Sequence, residues 1–94
     1  MQLRRMEEYR QEAILIELVK KIEKIIAFKN EHRIVPARAT WRELRDVLNE
    51  EEWEKLEALV PHGVFKKYDG IRYASYEIDY LKLRQWENMA KAKI

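Results

Sequence analysis

Apolar residues recur at intervals of three and four along the first third of the chain. Leu15, Leu18, Ile22 and Ile26 form one stripe at helical spacing, and neither proline nor glycine interrupts it. The pattern predicts a long N-terminal helix over residues 1–31. Further apolar residues widen the stripe, so we expect this helix to be buried on two sides, either at the centre of the domain or between two copies of it.

Two short helices are predicted next, in the segments TWRELRDVL and EWEKLEALV. Both repeat the pattern Trp-x-x-Leu followed by further apolar positions, which places one apolar stripe on each helix. Thr40 with Glu43, and Asn49 with Glu52, have the spacing of capping boxes, in which each side chain bonds the backbone N–H of the other residue. We therefore expect each helix to begin at its cap and to face the core.

The segment between the long helix and the short helices predicts a short strand. Pro36 forces the preceding Val35 into an extended conformation, and proline has no N–H to donate to a neighbouring strand. We expect three or four extended residues around Ile34 and Val35, at the edge of a sheet.

A β-hairpin is predicted after the second short helix, within the segment GVFKKYDGIRYASYEI. Asp69 and Gly70 lie between two stretches rich in aromatic and β-branched residues, which is a strong signal for a two-residue turn. In that register Tyr68 lies opposite Ile71, and basic side chains lie at the tip. A last helix is expected to follow, capped by Asp79.

Composition and charge narrow the class of protein. A chain of 94 residues with 47% hydrophobic residues is typical of one globular domain. No run of about 18 apolar residues predicts a membrane span, and no signal-peptide pattern is present. The absence of cysteine is compatible with the cytoplasm, and the 38% of charged residues resembles heat-adapted proteins. The net charge is +2, with a net −3 in residues 34–63 and positive charge toward both ends.

The order helix, short strand, helix, tight turn, helix, glycine and basic hairpin resembles the winged-helix family. The segments that carry the resemblance are ELRDVL and EWEKLEALVPHGVFKKYDGIRYASYEI. The resemblance implies a mostly α fold with a small antiparallel β-hairpin in a single domain, 1–94. Its parts are a long helix over 1–31, a helix-turn-helix with wing over 34–78 and a C-terminal helix over 79–94. It also implies DNA binding, with the third helix in the major groove and the wing on phosphates.

The helix that would read DNA is acidic. The segment EEEWEKLEALV contains five glutamates and one lysine. Carboxylates oppose the phosphate charge that supplies most of the affinity for DNA. Two functions therefore stay open. One is a dimeric transcriptional regulator that contacts duplex DNA through its wing and basic ends; the other is a protein–protein interaction subunit that uses the acidic helix and does not bind DNA.

Candidate nucleic-acid contacts lie on the wing and near the first short helix. They are Lys66, Lys67, Tyr68, Arg72, Tyr73, Arg38, Arg42 and Arg45. The basic residues would contact phosphates, and the tyrosines would bond the backbone or stack on a base. The same lysines can instead keep the hairpin soluble, and Arg42 can instead pair with Asp46 four residues on.

A homodimer seam is predicted on the long helix and the last helix. Its residues are Leu15, Leu18, Ile22, Ile26 and Trp86. Dimerisation would double the phosphate contacts of a chain whose net charge is small. Trp41 and Trp53, like Trp86, are expected to be core or interface anchors.

No pattern in the sequence predicts catalysis, a cofactor or a metal. The chain has no cysteine, Ser75 lies in a predicted strand, and Thr40 serves as a cap. The two glycines do not form a phosphate-binding loop, and His32 and His62 lack partners at metal-ligand spacing. We therefore expect a protein that is not an enzyme, with duplex DNA, a second copy or another protein as its partner.

Overall fold

The computed structural model describes residues 2–92 and the side chains of residues 6–90. Its elements are α1 (Gln2–Glu31), β1 (Ala39–Thr40), α2 (Trp41–Arg45), α3 (Glu50–Leu59), β2 (Phe65–Tyr68), β3 (Ser75–Ile78) and α4 (Tyr80–Ala92). This order confirms the predicted fold class: mostly α, with a long first helix, two short helices, a small antiparallel sheet with a wing, and a C-terminal helix. The side chains of the predicted basic ends, at 3–5 and 91–93, lie outside the described residues. Across residues 2–92 no helix combines the length and apolarity that a membrane span needs.

One hydrophobic core joins α1 to the short helices and the sheet. Leu18 and Ile22 of α1 are completely buried and pack in one cluster with Leu56 of α3 and with Phe65 and Tyr76 of the sheet. Full burial of each such side chain contributes roughly 1.5–3 kcal/mol. The core side of α1 is therefore covered by the chain itself.

The residues that were expected to form a dimer seam lie in this core or against it. Leu15, Leu18 and Ile22 are buried, and Ile26 and Trp86 are half-buried and pack on the buried cluster. Apolar spacing indicates that one side of a helix is covered, but it does not indicate which element covers it. A second copy of the chain would have to contact mainly other residues of α1.

Both predicted capping boxes are confirmed. The hydroxyl of Thr40 accepts a hydrogen bond from the Glu43 N–H at 3.3 Å, and Glu43 Oε1 accepts one from the Thr40 N–H at 3.0 Å. Asn49 and Glu52 make the same pair of bonds at 2.8 and 2.9 Å. These local bonds position the start of α2 and α3 and so set the turn between them.

The strand before the short helices lies closer to them than predicted: it was expected around Ile34 and Val35 and is found at Ala39–Thr40. In the turn after α1, Arg33 lies in the left-handed region, at φ 56°, and Ile34 donates its N–H to the carbonyl of Lys29 at 2.8 Å. Because this bond closes the helix end, the N–H of Ile34 is not free for a sheet. The strand β1 has only two residues and lies at the edge of the sheet, beside β3.

The wing is a hairpin, but its turn differs from the prediction. Tyr68 pairs with Ser75 instead of Ile71, so the connection spans six residues, 69–74, which we call the wing loop. Gly70 does not have the positive φ that a two-residue Asp–Gly turn requires. Instead, a Cβ at Gly70 would stand 2.3 Å from the carbonyl oxygen of Tyr73, so the loop needs glycine because of this close approach.

Burial of β3 explains the observed register. It places Phe65 and Tyr76, both 0% exposed, in the core and lets β3 pair with β1 as well as β2. The register is shifted by four residues, an even number, so each strand residue keeps the face that the tight turn predicted. Burial of Phe65 and Tyr76 therefore determines the register, against the local preference of Asp69 and Gly70 for a two-residue turn.

The last helix closes the core beside the wing. Asp79 Oδ1 accepts a hydrogen bond from the Lys82 N–H at 3.0 Å, which confirms Asp79 as a cap. The N–H of Asp79 donates to the Val64 carbonyl at 2.9 Å and ties the start of α4 to the root of β2. Leu83 and Trp86 then pack against the buried cluster.

Candidate nucleic-acid interface

The structure divides the eight predicted nucleic-acid contacts into two groups. The sheet group contains Arg38, Lys66, Lys67 and Tyr68, on or next to the strands. The loop group contains Arg42, Arg45, Arg72 and Tyr73, on α2 and the wing loop. The two groups differ in what their charged ends contact.

Arg38 and Tyr68 are held by a carboxylate of their own chain. Arg38 Nε donates to Glu77 Oε1 at 3.0 Å, and the Tyr68 hydroxyl donates to Glu77 Oε2 at 3.0 Å. The Arg38 guanidinium also lies 3.6 Å from the centre of the Tyr68 ring. The hydrogen bond from Arg38 holds the pKa of Glu77 below its usual value. Both predicted contacts thus serve to join β1, β2 and β3.

The two wing lysines also lie near carboxylates. Lys66 Nζ is 3.8 Å from Asp79 Oδ2, and Lys67 Nζ is 3.5 Å from Glu57 Oε2. Such exposed pairs contribute about 0.2–1 kcal/mol and can exchange partners. The lysines therefore remain reachable, but their charge is partly neutralised on the surface of the protein.

The tip of the wing is not the cationic ribbon that the tight turn predicted. Because the strands pair four residues further along, Lys66 and Lys67 lie within β2, and the wing loop carries Asp69 and Arg72. Ile71, at 105% exposure, projects from this loop. Positive charge at the tip therefore comes from Arg72, with Asp69 three residues before it in the sequence.

A row of four aromatic rings runs from the wing loop into the core. The Tyr73 ring stacks on Trp41 at 5.9 Å with an interplanar angle of 6°. Trp41 contacts Trp53 at 6.5 Å, and Trp53 meets the edge of Tyr76 at 6.4 Å. Exposure falls from 42% at Tyr73 and 37% at Trp41 to 0% at Tyr76. The row therefore anchors a solvent-facing aromatic pair on the buried core.

At the exposed end of this row one arginine lies over a ring, and Arg42 and Arg72 lie next to Trp41 and Tyr73 in the sequence. The Arg45 guanidinium lies 5.3 Å from the Trp41 ring, and its Nε is 3.6 Å from Asp46. The ion pair expected between Arg42 and Asp46 is thus replaced by one from Arg45. Among the described side chains, no carboxylate pairs with Arg42 or Arg72. We call Trp41, Arg42, Arg45, Arg72 and Tyr73 the Trp41 cluster.

Most of the glutamate side chains on α3 already make an ion pair or a hydrogen bond within the chain. Glu52 is buried, at 2% exposure, against Lys21, and Glu51 pairs with Arg10. Glu57 accepts a hydrogen bond from the Tyr76 hydroxyl at 2.7 Å. Burial and this carboxylate together raise the pKa of Tyr76.

Glu50 and Glu54 are the two exposed glutamates of α3 that make no ion pair with a described residue. They are four residues apart and therefore lie on one side of the helix.

Trp41 was expected only as an anchor, yet it is the centre of the exposed cluster. The spacing of Trp41 and Arg45 at i,i+4 is a local signal for a cation over an aromatic ring. The stacking of Tyr73 on Trp41 has no such signal, because it depends on the path of the wing loop. That path is fixed by the Trp41 N–H, which donates to the Ala74 carbonyl at 2.8 Å.

The side chains of the Trp41 cluster are suited to recognising a ligand. Within the described residues, no group of three or more histidine, aspartate or glutamate side chains is placed to hold a metal ion. The cluster offers planar cations for phosphate or carboxylate and two partly exposed aromatic rings.

Comparison with protein-family models, with curated proteins and with solved structures found no match.

Proposed function

We propose that this chain binds duplex DNA through the Trp41 cluster, by contacts to the phosphate backbone. The observation that carries the proposal is the convergence of Arg45, Tyr73 and Trp41, with Arg42 and Arg72 next to them in sequence and free of carboxylate partners in the described chain. Guanidinium groups match phosphate geometry and are favoured at such sites. The resemblance to the winged-helix family supports the same face, since Trp41 of α2 contacts Trp53 of α3 and Tyr73 of the wing loop there.

The contact set differs from that of a helix inserted in the major groove. Glu50 and Glu54 on α3 would face the phosphates and weaken such a complex. Binding by α2 and the wing loop avoids this, because the arginines lie on those elements. We therefore propose a complex with low sequence specificity, typical of phosphate contacts without base reading. A role in transcriptional regulation, in the cytoplasm, is consistent with such binding.

The experiment is a titration of labelled random-sequence duplex at low salt, followed by fluorescence anisotropy. Three arginine–phosphate contacts predict a slope of about −3 for log K against log salt, since each contact contributes about −0.9. The variant Arg42→Ala/Arg45→Ala/Arg72→Ala should lose most of the affinity and of this slope. The matched control is Lys24→Ala/Lys82→Ala/Arg84→Ala, which removes the same charge from exposed positions of α1 and α4. Equal losses in both triple variants would contradict the proposal.

A second candidate function is binding of a basic protein segment by α3, without DNA. It is favoured by Glu50 and Glu54, which are exposed, four residues apart and unpaired among the described residues. An arginine-rich peptide should bind the wild type and lose affinity with Glu50→Gln/Glu54→Gln. The control Glu8→Gln/Glu12→Gln changes an equally spaced exposed pair on α1. Peptide binding together with no DNA binding at low salt would favour this second function over the first.

A further inference from the structure

The outer side of α1 carries a second apolar stripe that no described residue covers. The outer stripe consists of Met6, Tyr9, Ala13 and Ile16. Met6, Tyr9 and Ile16 are 68%, 69% and 48% exposed. At about 100° per residue, intervals of three, four and three keep these residues on one side of the helix. The same angle places this side opposite the one that carries Leu18 and Ile22.

The stripe begins on a part of α1 that has few tertiary contacts. α1 has 30 residues, a length of about 45 Å, and the whole molecule is 46 Å in its longest dimension. Every side chain in 6–13 is exposed. Arg10 and Gln11 reach α3, where they contact Glu51 and Lys55. An isolated helical segment is marginal in water, so a partner on the outer stripe would stabilise it.

We propose that the outer stripe binds α1 of a second copy, with the two α1 helices antiparallel and with Ala13 and Ile16 of the two stripes in contact. Intervals of three and four are the spacing of a two-stranded coiled coil. Met6 and Ala13 would occupy its a positions, and Tyr9 and Ile16 its d positions. The proposal goes beyond DNA binding and does not depend on it.

Charge on either side of the stripe selects the antiparallel arrangement. Residues that flank such a seam interact across it and set the orientation of the helices. In a parallel pair, Glu12 of each copy faces Glu17 of the other, and both contacts are repulsive. In an antiparallel pair with Ala13 opposite Ile16, Arg10 faces Glu17 of the second copy, and the symmetry repeats this attraction. Arg10 also bonds Glu51 in its own chain, and a guanidinium has enough donors for both.

The same rule selects the register. If one helix of the antiparallel pair slides by seven residues along the other, Met6 lies opposite Ile16 of the second copy. Arg10 then faces Arg10, and Glu12 faces Glu12, so both flanks are repulsive. With Ala13 opposite Ile16, Tyr9 instead lies over Lys20 of the second copy.

A groove beside Lys20 fits that tyrosine. Its lining residues are Leu15, Ile16, Val19, Lys20, Glu23 and Glu87, and its volume is about 210 Å³. The apolar floor suits a ring, and the rim offers carboxylates to the Tyr9 hydroxyl. The groove therefore supplies contact area where the outer stripe itself becomes polar.

The first test is the molecular mass in solution as a function of concentration, by sedimentation equilibrium. We expect a dimer of the wild type that becomes monomeric with Tyr9→Glu or Ile16→Glu. Tyr9 has no hydrogen-bonded partner among the described residues, so this variant should keep its fold, as circular dichroism would verify. The matched control is Phe28→Glu, which changes another exposed apolar residue of α1, 55% exposed, away from the stripe. A wild type that stays monomeric up to millimolar concentration overturns the proposal and leaves the stripe to a different protein.

The second test reads the orientation and register through disulfides. The chain has no cysteine, so any cross-link comes from the introduced residues. A mixture of Ala13→Cys and Ile16→Cys chains should cross-link faster than either variant alone. Fastest cross-linking of Ala13→Cys with itself would indicate parallel helices and overturn the antiparallel pair. DNA titration of the monomeric Tyr9→Glu variant separates this proposal from the proposed function, since each chain keeps its arginines.

Discussion

Lys21 of α1 donates a hydrogen bond to the capping glutamate of α3: its Nζ lies 2.7 Å from Glu52 Oε1, and Glu52 is 2% exposed. Lys29 makes the equivalent contact with Glu43, the capping glutamate of α2, at 2.5 Å. Each glutamate thus closes its own helix and also binds the long helix. α1 positions both short helices through the residues that start them.

Loss of the Glu52 contact should destabilise the fold. We expect Glu52→Ala to lower the free energy of unfolding by about 2 kcal/mol, because it removes a helix cap and leaves Lys21 without its partner beside the core. Urea unfolding followed by circular dichroism measures this. The control Glu50→Ala, at an exposed position in the same first turn, should cost less than about 1 kcal/mol. Equal effects would mean that the Lys21 contact contributes nothing beyond general helix charge.

Low pH should reduce the free energy of unfolding, because Glu43 and Glu77 become protonated. Burial raises the pKa of Glu43, but hydrogen bonds from Lys29 and Thr40 outweigh it, so the net pKa lies below the ordinary 4.5. The hydrogen bond from Arg38 likewise lowers the pKa of Glu77. Since the folded state binds these protons less tightly than the unfolded state, the stabilisation is complete above about pH 4.5 and is lost as the pH falls through the lowered values.

The measurement is the free energy of unfolding from neutral pH down to about pH 3, the range over which paired carboxylates become protonated. The variant Glu43→Gln/Glu77→Gln should show a shallower decline than the wild type. A double variant at exposed Glu8 and Glu12 should decline as steeply as the wild type. Identical curves for all three proteins would rule out these two carboxylates as the cause.

The register of the wing can be tested directly. NMR should show cross-strand contacts between the backbones of Lys67 and Tyr76, as the observed pairing requires. A two-residue turn would instead bring Lys67 opposite Arg72. Gly70→Ala should destabilise the fold by roughly 1–3 kcal/mol, because a methyl group would stand 2.3 Å from the Tyr73 carbonyl oxygen. The neighbouring Ile71→Ala, fully exposed, should have little effect.

The structure and the sequence pattern rank the wing residues differently for DNA binding. We expect Arg72→Ala to reduce affinity more than Lys67→Ala, because Lys67 already lies 3.5 Å from Glu57 whereas Arg72 has no carboxylate partner among the described residues. Each removes one positive charge, so the two variants control for one another. Anisotropy titration at a single low salt concentration suffices, and an equal or greater loss from Lys67→Ala would contradict the ranking.

Features that depend on neighbours along the chain were predictable from the amino-acid sequence alone. The capping pairs Thr40/Glu43 and Asn49/Glu52 act over three residues, and the order of helices and strands follows from periodicity and from breakers such as Pro61 and Gly63. Both arise from backbone bonding and side-chain direction within one or two turns. The faces of the wing strands were also predictable, since alternation is unaffected by an even shift of register.

Features that depend on what lies across the core could not be predicted in this way. The tight-turn signal of Asp69 and Gly70 was overridden because burying Phe65 and Tyr76 together, and pairing β3 with β1, contributes more than one favourable turn. Arg38 meets Glu77 across 39 positions of sequence, and apolar spacing in α1 does not distinguish its own core from a second copy. Such partners are chosen by packing in three dimensions, which no local pattern encodes.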